Sequence, residues 1–275
     1  MTCASDGGEK ALVSIVVPTY NSARNLPVCL EGLRRQTYPY VEIIVVDNYS
    51  VDGTRDIAEG FGATFVLHRG TQALARNVGI GCSRGMYVLF VDSDQRLSEG
   101  VVEDCVFLCS ECGFDAVKIP EVFVGKEFWG ECSALWKNSV EKTWGSEGGI
   151  PRFYKRSDLL ENHAFTEDLR WWEDYELYKR LKSKKLRDTW CRSRVFHFET
   201  DSPKSAVRKY LSYGQSITAF RDKEAEAPYA LTFRLSVSVL AQVVRNSSRS
   251  FSVFWGCLFL VALKSFSAVV GFLSR

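Results

Sequence analysis

Short apolar runs alternate with segments of helical periodicity in the first third of the chain. The runs are rich in β-branched residues and end at polar or turn-forming residues, which predicts buried strands. The predicted strands are residues 12–18, 41–46, 63–67 and 87–91, and helices are predicted after the first strand and over 54–60 and 73–83. Strands that are hydrophobic throughout and alternate with helices predict an α/β fold, with a mostly parallel mixed sheet covered by helices on both faces.

The pattern is less regular between residues 117 and 198, where Trp and Phe are frequent. We expect a charged helix near 173–185 and a strand near 193–198. A Gly-rich turn is expected at Gly145, Gly148 and Gly149. We assign these elements to the same domain as the predicted sheet.

Residues 229–249 predict an amphipathic helix. On a helical projection its apolar face and its basic face are opposite each other. The apolar face contains Tyr229, Phe233, Val237, Leu240, Val243 and Val244, and the basic face contains Arg234, Arg245 and Arg249. No Asp or Glu occurs between residues 227 and 275, which favours contact with anionic lipid. Packing against the α/β domain is the alternative, because such helices are amphipathic too.

Residues 251–273 predict a second, more apolar helix. Its length would be about 34 Å at the usual rise per residue, which is enough to cross a bilayer. Lys264 lies near its middle, where a charge in a membrane is costly. We therefore expect in-plane or re-entrant attachment, with a spanning helix that packs through its small residues as the alternative.

The overall charge does not favour a nucleic-acid partner, since the 35 basic and 33 acidic residues give a net charge of only +2. Residues 1–10 are polar and lack the apolar segment of a secretory signal, so we expect the nine cysteines to be reduced and to face the cytosol. Cys105, Cys109 and Cys112 share one face of a predicted helix. They are better explained by packing than by a metal, because no fourth ligand is close in sequence.

Polar residues follow three of the predicted strands, where ligands bind in open α/β sheets. Asp47 ends the second strand and can accept hydrogen bonds from a nucleobase or ribose. Asp92 and Asp94 follow the fourth strand, and such paired carboxylates can hold Mg²⁺ or Mn²⁺. The alternative is a pair of turn-forming aspartates.

Three further charged residues are candidates for chemistry. Arg76 can pair with phosphate. Glu173 and Asp174 follow two tryptophans, and burial beside aromatic rings would raise the pKa of a carboxyl group towards that of a general base. Favourable charge at a helix start is the alternative for these two carboxylates. The glycine-containing segment 79–85 precedes its strand instead of following it, which disfavours an NAD-dependent enzyme.

Three segments together resemble the inverting family-2 glycosyltransferases, which have the Rossmann-like GT-A fold. They are VSIVVPTYNSARN with its continuation to VVDNYSVDGT, ALARNVGIGCSRGMYVLFVDSD, and WWEDYELYKRLKSKK. The resemblance covers residues 12–198. It implies a GT-A domain over 11–200. The charge and hydropathy patterns add a polar tail over 1–10 and a helical membrane-association region over 201–275.

The resemblance also implies roles for individual residues. Asp174 would be the catalytic base, supported by Glu173. The metal would be held by Asp94 and Asp92, with His197 as a weaker candidate. The nucleotide-sugar donor would be bound by Pro18, Thr19, Tyr20, Asp47, Arg76, Asp92 and Ser93.

The implied reaction is transfer of a sugar, with inversion, from a UDP- or GDP-sugar to a lipid-linked or surface-glycan acceptor, with Mn²⁺ or Mg²⁺ as cofactor. The enzyme would be membrane-associated through residues 229–273, with its catalytic domain in the cytoplasm and no nucleic-acid partner. Gln95 directly follows Asp94, unlike in the dolichyl-phosphate mannose synthase branch, which disfavours a simple lipid-phosphate acceptor. The alternatives are a nucleotidyltransferase acting on sugar phosphates and a non-catalytic nucleotide-sugar-binding protein.

Overall fold

The computed structural model describes residues 11–223, 237–246 and 250–274. Its first part alternates strands and helices as the sequence predicts. The elements are β1 (Val13–Thr19), α1 (Leu26–Arg34), β2 (Val41–Asp47), α2 (Thr54–Gly60), β3 (Thr64–Leu67), α3 (Gln72–Cys82) and β4 (Tyr87–Phe90).

The main sheet has seven strands in the order β3-β2-β1-β4-β8-β6-β9. It adds β6 (Ala116–Lys118), β8 (Phe153–Lys155) and β9 (Asp188–Trp190) to the first four strands. Strand β8 runs antiparallel to both β4 and β6, and the other neighbours are parallel. This confirms the mostly parallel mixed sheet. The register places Thr19 opposite Asp47 at the carboxyl ends of β1 and β2.

Helices cover both faces of this sheet. On one face, α1 and α4 (Val101–Ser110) pack over the alternate side chains Val13, Ile15 and Val17 of β1. On the other, α3, α6 (Arg156–Glu161) and α7 (Glu173–Ser183) pack over Val16, Ile44 and Val46. The strands are hydrophobic throughout because both of their faces are buried.

A second, three-stranded sheet has the order β5-β10-β7. It consists of β5 (Gln95–Leu97), β7 (Glu121–Val124) and β10 (Val195–Phe198). Strand β10 is antiparallel to β5 and parallel to β7, and His197 lies opposite both Gln95 and Phe123. This sheet brings three distant parts of the chain to the end of β4.

The remaining helices form a layer beside the second sheet. They are α5 (Phe128–Gly148), α8 (Pro203–Lys223), α9 (Val237–Asn246) and α10 (Phe251–Leu273). Helix α9 packs on α5, and α10 packs on both α5 and α8. The backbones of α8 and α10 are in contact, since a Cβ on Gly271 would lie 2.1 Å from the Leu211 carbonyl oxygen.

Two expectations differ from the structure or fall partly outside it. The Gly-rich turn begins only at Gly149, because α5 continues through Gly145 and Gly148. Glycine in a helix interior costs only about 1 kcal/mol relative to alanine. That cost is too small to end a 21-residue helix that packs on α9 and α10. The predicted helix over 229–249 is described only from Val237 to Asn246, so Tyr229, Phe233, Arg234 and Arg249 lie outside the described residues, as does the tail over 1–10.

Candidate active site

The carboxyl ends of β1 and β2 form one end of the candidate site. Asp47 is only 1% exposed, and its Oδ1 accepts hydrogen bonds from the hydroxyls of Thr19 (2.7 Å) and Ser50 (2.6 Å). Its Oδ2 accepts one from the Ser50 backbone N–H (2.7 Å). Beside it, Pro18 is partly buried and Tyr20 is exposed. The carboxylate is therefore fixed in place and has hydrogen-bonding capacity left on Oδ2.

Ser22 connects this end of the site to the loop after β4. Its hydroxyl lies 2.9 Å from the Ser93 hydroxyl and 3.3 Å from the Tyr20 backbone nitrogen. The predicted donor-binding residues Pro18, Thr19, Tyr20, Asp47 and Ser93 thus lie along one edge of the sheet.

Arg76 links the two predicted carboxylate regions. It is 5% exposed, and its Nη1 donates to Glu173 Oε1 at 2.7 Å while its Nη2 contacts Asp92 Oδ1 at 3.3 Å. Gln72 Nε2 also donates to Asp92 Oδ1, at 3.0 Å. Arg76 therefore holds carboxylates of the protein in this structure, and its contact with a donor diphosphate stays a prediction.

Arg152 and Glu121 belong to the site, although the sequence analysis did not identify them. Arg152 Nη1 lies 3.4 Å from Asp92 Oδ2, and its Nε donates to Glu121 Oε1 at 3.0 Å. Burial opposes the charge of Asp92, but Arg152 and Arg76 hold the pKa of that carboxyl below its usual range. No motif marks these two residues. Arg152 reaches Asp92 because β8 pairs with β4, and Glu121 begins β7 of the second sheet.

His197 lies between two carboxylates. Its Nδ1 is 3.1 Å from Glu121 Oε2, and its Nε2 is 3.4 Å from Asp94 Oδ2. Gln95 Nε2 lies 3.3 Å from the same Nδ1. Burial alone would lower the pKa of His197, but the hydrogen bonds with Asp94 and Glu121 raise it to about 9.

This arrangement fits a divalent cation held by two protein ligands. A histidine that donates Nδ1–H to Glu121 directs its Nε2 lone pair towards Asp94, as in many carboxylate–histidine–metal sites. The part of the chain that the structure describes contains no group of three or more His, Cys, Asp or Glu side chains that could hold a metal. Two protein ligands still suit Mg²⁺ or Mn²⁺, which usually keep waters and bind phosphate oxygens. Both oxygens of Asp92 already contact Arg or Gln side chains, so its predicted metal role has less support than those of Asp94 and His197.

Glu173 and Asp174 begin α7 in different surroundings. Trp172, just before them, has a left-handed backbone with φ of 71°. Glu173 is buried against Arg76, and burial raises its pKa while the guanidinium opposes that rise. Asp174 is partly exposed and lines a cavity of about 170 Å³ together with Arg152. A carboxylate that faces a cavity suits the predicted base, and one held by an arginine suits the predicted support.

The segment before α7 is anchored on α8. Trp171 Nε1 donates to Ser212 Oγ at 3.0 Å, and the Trp171 ring meets the Tyr213 ring edge-on at 4.4 Å between centroids. The position of Asp174 is therefore coupled to the helical layer.

Comparison with known sequences places this site in a family. The sequence profile described as "Glycosyl transferase family 2" matches residues 14–202. Glycosyltransferase GlyG of Streptococcus pneumoniae is 39% identical over 99 residues, which cover 34% of this chain and 33% of that protein. Glycosyltransferase AglE of Haloferax volcanii is 38% identical over 115 residues, which cover 38% of each. These matches span little more than a third of the relatives' length.

Comparison with solved structures concerns the fold. The structure of S. aureus TarS 1–349 in complex with UDP-GlcNAc aligns with a TM-score of 0.56 and 18% identity, covering 96% of this chain and 91% of that one. The mannosyltransferase PcManGT from Pyrobaculum calidifontis, in complex with GDP-Man and Mn²⁺, gives a TM-score of 0.60 and 18% identity, covering 98% and 89%. These alignments confirm the predicted GT-A fold. With the family profile matching more than half of its length, the chain belongs to glycosyl transferase family 2.

Proposed function

We propose that this protein transfers a sugar, with inversion, from a nucleotide-activated donor to a hydroxyl group of a lipid-linked or surface-glycan acceptor. The observation that carries the proposal is the cavity in which Asp174 and Arg152 meet, beside Arg76 and Glu121. It combines a partly exposed carboxylate with cationic groups next to the strand ends. The TarS complex with UDP-GlcNAc and the PcManGT complex with GDP-Man support a nucleotide-sugar donor.

The donor would lie along the edge of the sheet. Asp47, fixed by Thr19 and Ser50, accepts a hydrogen bond from the nucleobase on its remaining Oδ2 position. Arg152 lies farther along the same edge, where its guanidinium can offset the charge of the diphosphate. Bound at Asp94 and His197, Mn²⁺ or Mg²⁺ would add positive charge beside the leaving diphosphate.

Asp174 acts on the acceptor. It accepts the proton of the attacking hydroxyl while the hydroxyl oxygen forms a bond to the anomeric carbon. The bond from that carbon to the diphosphate oxygen breaks, and its electron pair leaves with the diphosphate. Attack from the face opposite the leaving group inverts the anomeric carbon. Glu173, held by Arg76 at 2.7 Å, keeps the start of α7 in position.

We further propose that α10 attaches the protein to the cytoplasmic surface of a membrane. Within the described residues, α10 is the one helix long and apolar enough to cross a membrane. Its inner face packs on α5 and α8 and buries Lys264, whereas Trp255, Phe259 and Phe266 on its outer face are exposed. A helix packed on the protein along one side supports in-plane attachment, with its aromatic side chains in the lipid.

The test is a panel of UDP- and GDP-sugars with Mn²⁺, followed by thermal shift and by release of nucleoside diphosphate with candidate acceptors. We expect one donor to stabilise the wild-type protein, and the metal-dependent part of that shift to vanish in Asp94→Ala. Asp174→Asn should keep the donor-induced shift and lose about a hundredfold or more of transfer, the contribution of a general base.

The matched control is Asp56→Asn, which makes the same change on the exposed surface of α2. It should behave as the wild type. Full transfer by Asp174→Asn would favour a non-catalytic sugar-nucleotide-binding protein. Release of pyrophosphate instead of nucleoside diphosphate would indicate a nucleotidyltransferase.

A further inference from the structure

A second cavity, of about 140 Å³, lies between α5, α8 and α10. We call it the α10 cavity. Its helical walls include Ser133 and Lys137 of α5, Lys209 and Tyr210 of α8, and Leu260 and Lys264 of α10. Asp94 and His197 form its wall on the side of the active site. Since His197 is hydrogen-bonded to Glu121, which lines the Asp174 cavity, the two cavities lie on either side of this pair.

Lys264 is the unusual residue of the α10 cavity. It is 6% exposed, and its ammonium group donates to the Ser133 hydroxyl at 2.7 Å and lies 5.5 Å from the centre of the Tyr210 ring. Both contacts are with uncharged groups. Leaving a buried charge without an ionic partner is destabilising, and the ammonium still has hydrogen atoms to donate.

The α10 cavity has more cationic than anionic side chains. Lys137 and Lys209 line it together with Lys264, and its two carboxylates already have partners. Glu199 is bonded to Lys137 at 2.6 Å and to Ser133 at 2.6 Å, and Asp94 lies 3.4 Å from His197. Burial, together with Lys137 and Lys209, lowers the pKa of Lys264 to about 8. An anion in the cavity would relieve this repulsion.

We infer that the α10 cavity binds a phosphate group carried by the acceptor. Separate ammonium groups from three helices suit the tetrahedral oxygens of phosphate, whereas planar carboxylates are matched best by the arginine fork. The partly buried rings of Trp129 and Tyr210 at the cavity wall provide apolar surface for the adjoining part of the acceptor.

The position of the cavity assigns it to the acceptor and not to the donor. Its three lysines lie on the helical layer, and the residues proposed to contact the nucleobase and the diphosphate, Asp47 and Arg152, do not line it. Asp94 and His197 form the wall that the cavity shares with the donor side. The assignment rests on the proposed transfer reaction. It adds that the acceptor carries a phosphate near the hydroxyl that is glycosylated.

The experiment measures phosphate binding without donor or metal, so that it is independent of transfer. Wild-type protein is titrated with inorganic phosphate and with glycerol 3-phosphate by calorimetry and thermal shift. It is also tested for binding to phosphatidylcholine vesicles containing phosphatidic acid or, at equal charge, oleic acid. We expect Lys264→Met and Lys209→Met each to weaken phosphate binding by about tenfold or more, the usual effect of losing a charged hydrogen bond.

Lys204→Met is the matched control, since Lys204 is exposed on α8 and does not line the cavity. It should bind phosphate as the wild type does. Lys264→Met should fold, because it replaces a buried charge by an apolar side chain of similar shape, and Lys209→Met changes an exposed side chain. Both cavity variants should keep the donor-induced thermal shift, which separates this inference from the proposed function.

Comparing the soluble phosphate probes with the vesicles identifies the source of the phosphate. Binding of glycerol 3-phosphate that is lost in Lys264→Met indicates a soluble or glycan-linked phosphate. Binding only to phosphatidic acid vesicles, lost in the same variant, indicates a lipid headgroup. The inference is overturned if the cavity variants bind every phosphate probe as tightly as the wild type, if oleic acid vesicles bind as well as phosphatidic acid ones, or if the wild type binds no phosphate probe.

Discussion

Two adjacent carboxylates, Glu173 and Asp174, have different partners and should respond differently to substitution. Glu173→Gln removes the close partner of the buried Arg76 and leaves that guanidinium with Asp92. Breaking a buried ion pair costs about 3–5 kcal/mol, and the contact with Asp92 places this case near the lower end. We expect urea unfolding to show this loss, while Asp174→Asn keeps nearly wild-type stability. A Glu173→Gln protein of unchanged stability that no longer transfers sugar would instead make Glu173 a reacting group.

The lowered pKa of Lys264 should make the free energy of unfolding rise with pH. Its pKa is about 8 in the folded protein and 10.5 as a free side chain. Below pH 8 Lys264 is protonated in both states, and the folded state carries the full cost of burying its charge. Between pH 8 and 10.5 the unfolded state binds more protons than the folded state. The free energy of unfolding therefore rises with pH in this range. The difference between the two pKa values corresponds to roughly 3 kcal/mol.

The measurement compares wild type with Lys264→Met by urea unfolding between pH 7 and pH 10. We expect the variant to be more stable at pH 7 and this advantage to shrink above pH 8. The titratable and polar groups around Lys264 are Cys132, Ser133 and Lys137 of α5, Lys209, Tyr210 and Tyr213 of α8, Cys257 of α10, and Asp94, His197 and Glu199. A constant difference over this range would mean that the ammonium is hydrated in the folded protein.

The sequence predicted the site residues that directly follow a strand. It missed the site residues that strand pairing brings in from distant parts of the chain. Asp47, Asp92 and Asp94 could be found because a polar residue after an apolar run stands out. Arg152 and Glu121 could not, since their contacts depend on β8 pairing with β4 and on β7 pairing with β10. Both are single charged residues beside a proline, and no pattern in the sequence marks them as site residues.

Helix α3 shows how an element of the fold explains a glycine pattern. Gly79 faces β1, and a Cβ there would lie 2.3 Å from Val16 Cγ1, whereas a Cβ on Gly81 meets nothing within 4 Å. The first glycine permits close helix–sheet packing and is not part of a nucleotide-binding loop.

We therefore expect opposite effects from the same substitution two residues apart. Gly79→Ala should destabilise the protein by about 1–3 kcal/mol through overpacking. Gly81→Ala should stabilise it by up to about 1 kcal/mol, because alanine is the better helix former. Urea unfolding of both variants tests this pair. Equal effects would show that α3 does not pack on β1 as described.

Elements with a clear apolar pattern were predicted, whereas the two 21-residue helices α5 and α8 and the shortest strands were not. The four apolar strands and the helix Phe251–Leu273 follow from periodicity and length. Strands β5, β6, β8 and β9 have three residues each, which is too short for a repeating pattern. Their positions are set by tertiary pairing.

In the whole molecule, the C-terminal helices connect the proposed membrane surface to the active site. Helix α10 packs on α8, and α8 holds Trp171 through Ser212 and Tyr213, directly before Glu173 and Asp174. The sequence predicted an amphipathic and apolar region but not where it docks, since a helix that packs on protein and one that lies in lipid have the same pattern.

The outer face of α10 is the part of the molecule that should contact lipid. Replacing Trp255, Phe259 and Phe266 together by Ser should weaken binding to vesicles of mixed neutral and anionic lipid by about tenfold or more, because each aromatic side chain contributes on the order of 1 kcal/mol or more when it leaves water. The control is Phe107→Ser on α4, which removes an aromatic ring that is equally exposed, at 56% against 56% for Phe259. Sedimentation with vesicles measures both. Unchanged binding of the triple variant would contradict the proposed attachment.

The same helix can lie in the membrane plane or cross it, and labelling of its two ends separates these arrangements. Single cysteines are introduced at Ser252 and Ser274, both exposed, in a protein whose Cys3, Cys82 and Cys112 are changed to Ser. A membrane-impermeant maleimide added outside sealed vesicles should label both ends of an in-plane helix. Protection of one end would show a spanning helix, which would have to leave its packing on α5 and α8 and take Lys264 into the bilayer. Because that charge is costly in lipid and would lose its hydrogen bond to Ser133, we expect both ends to be labelled.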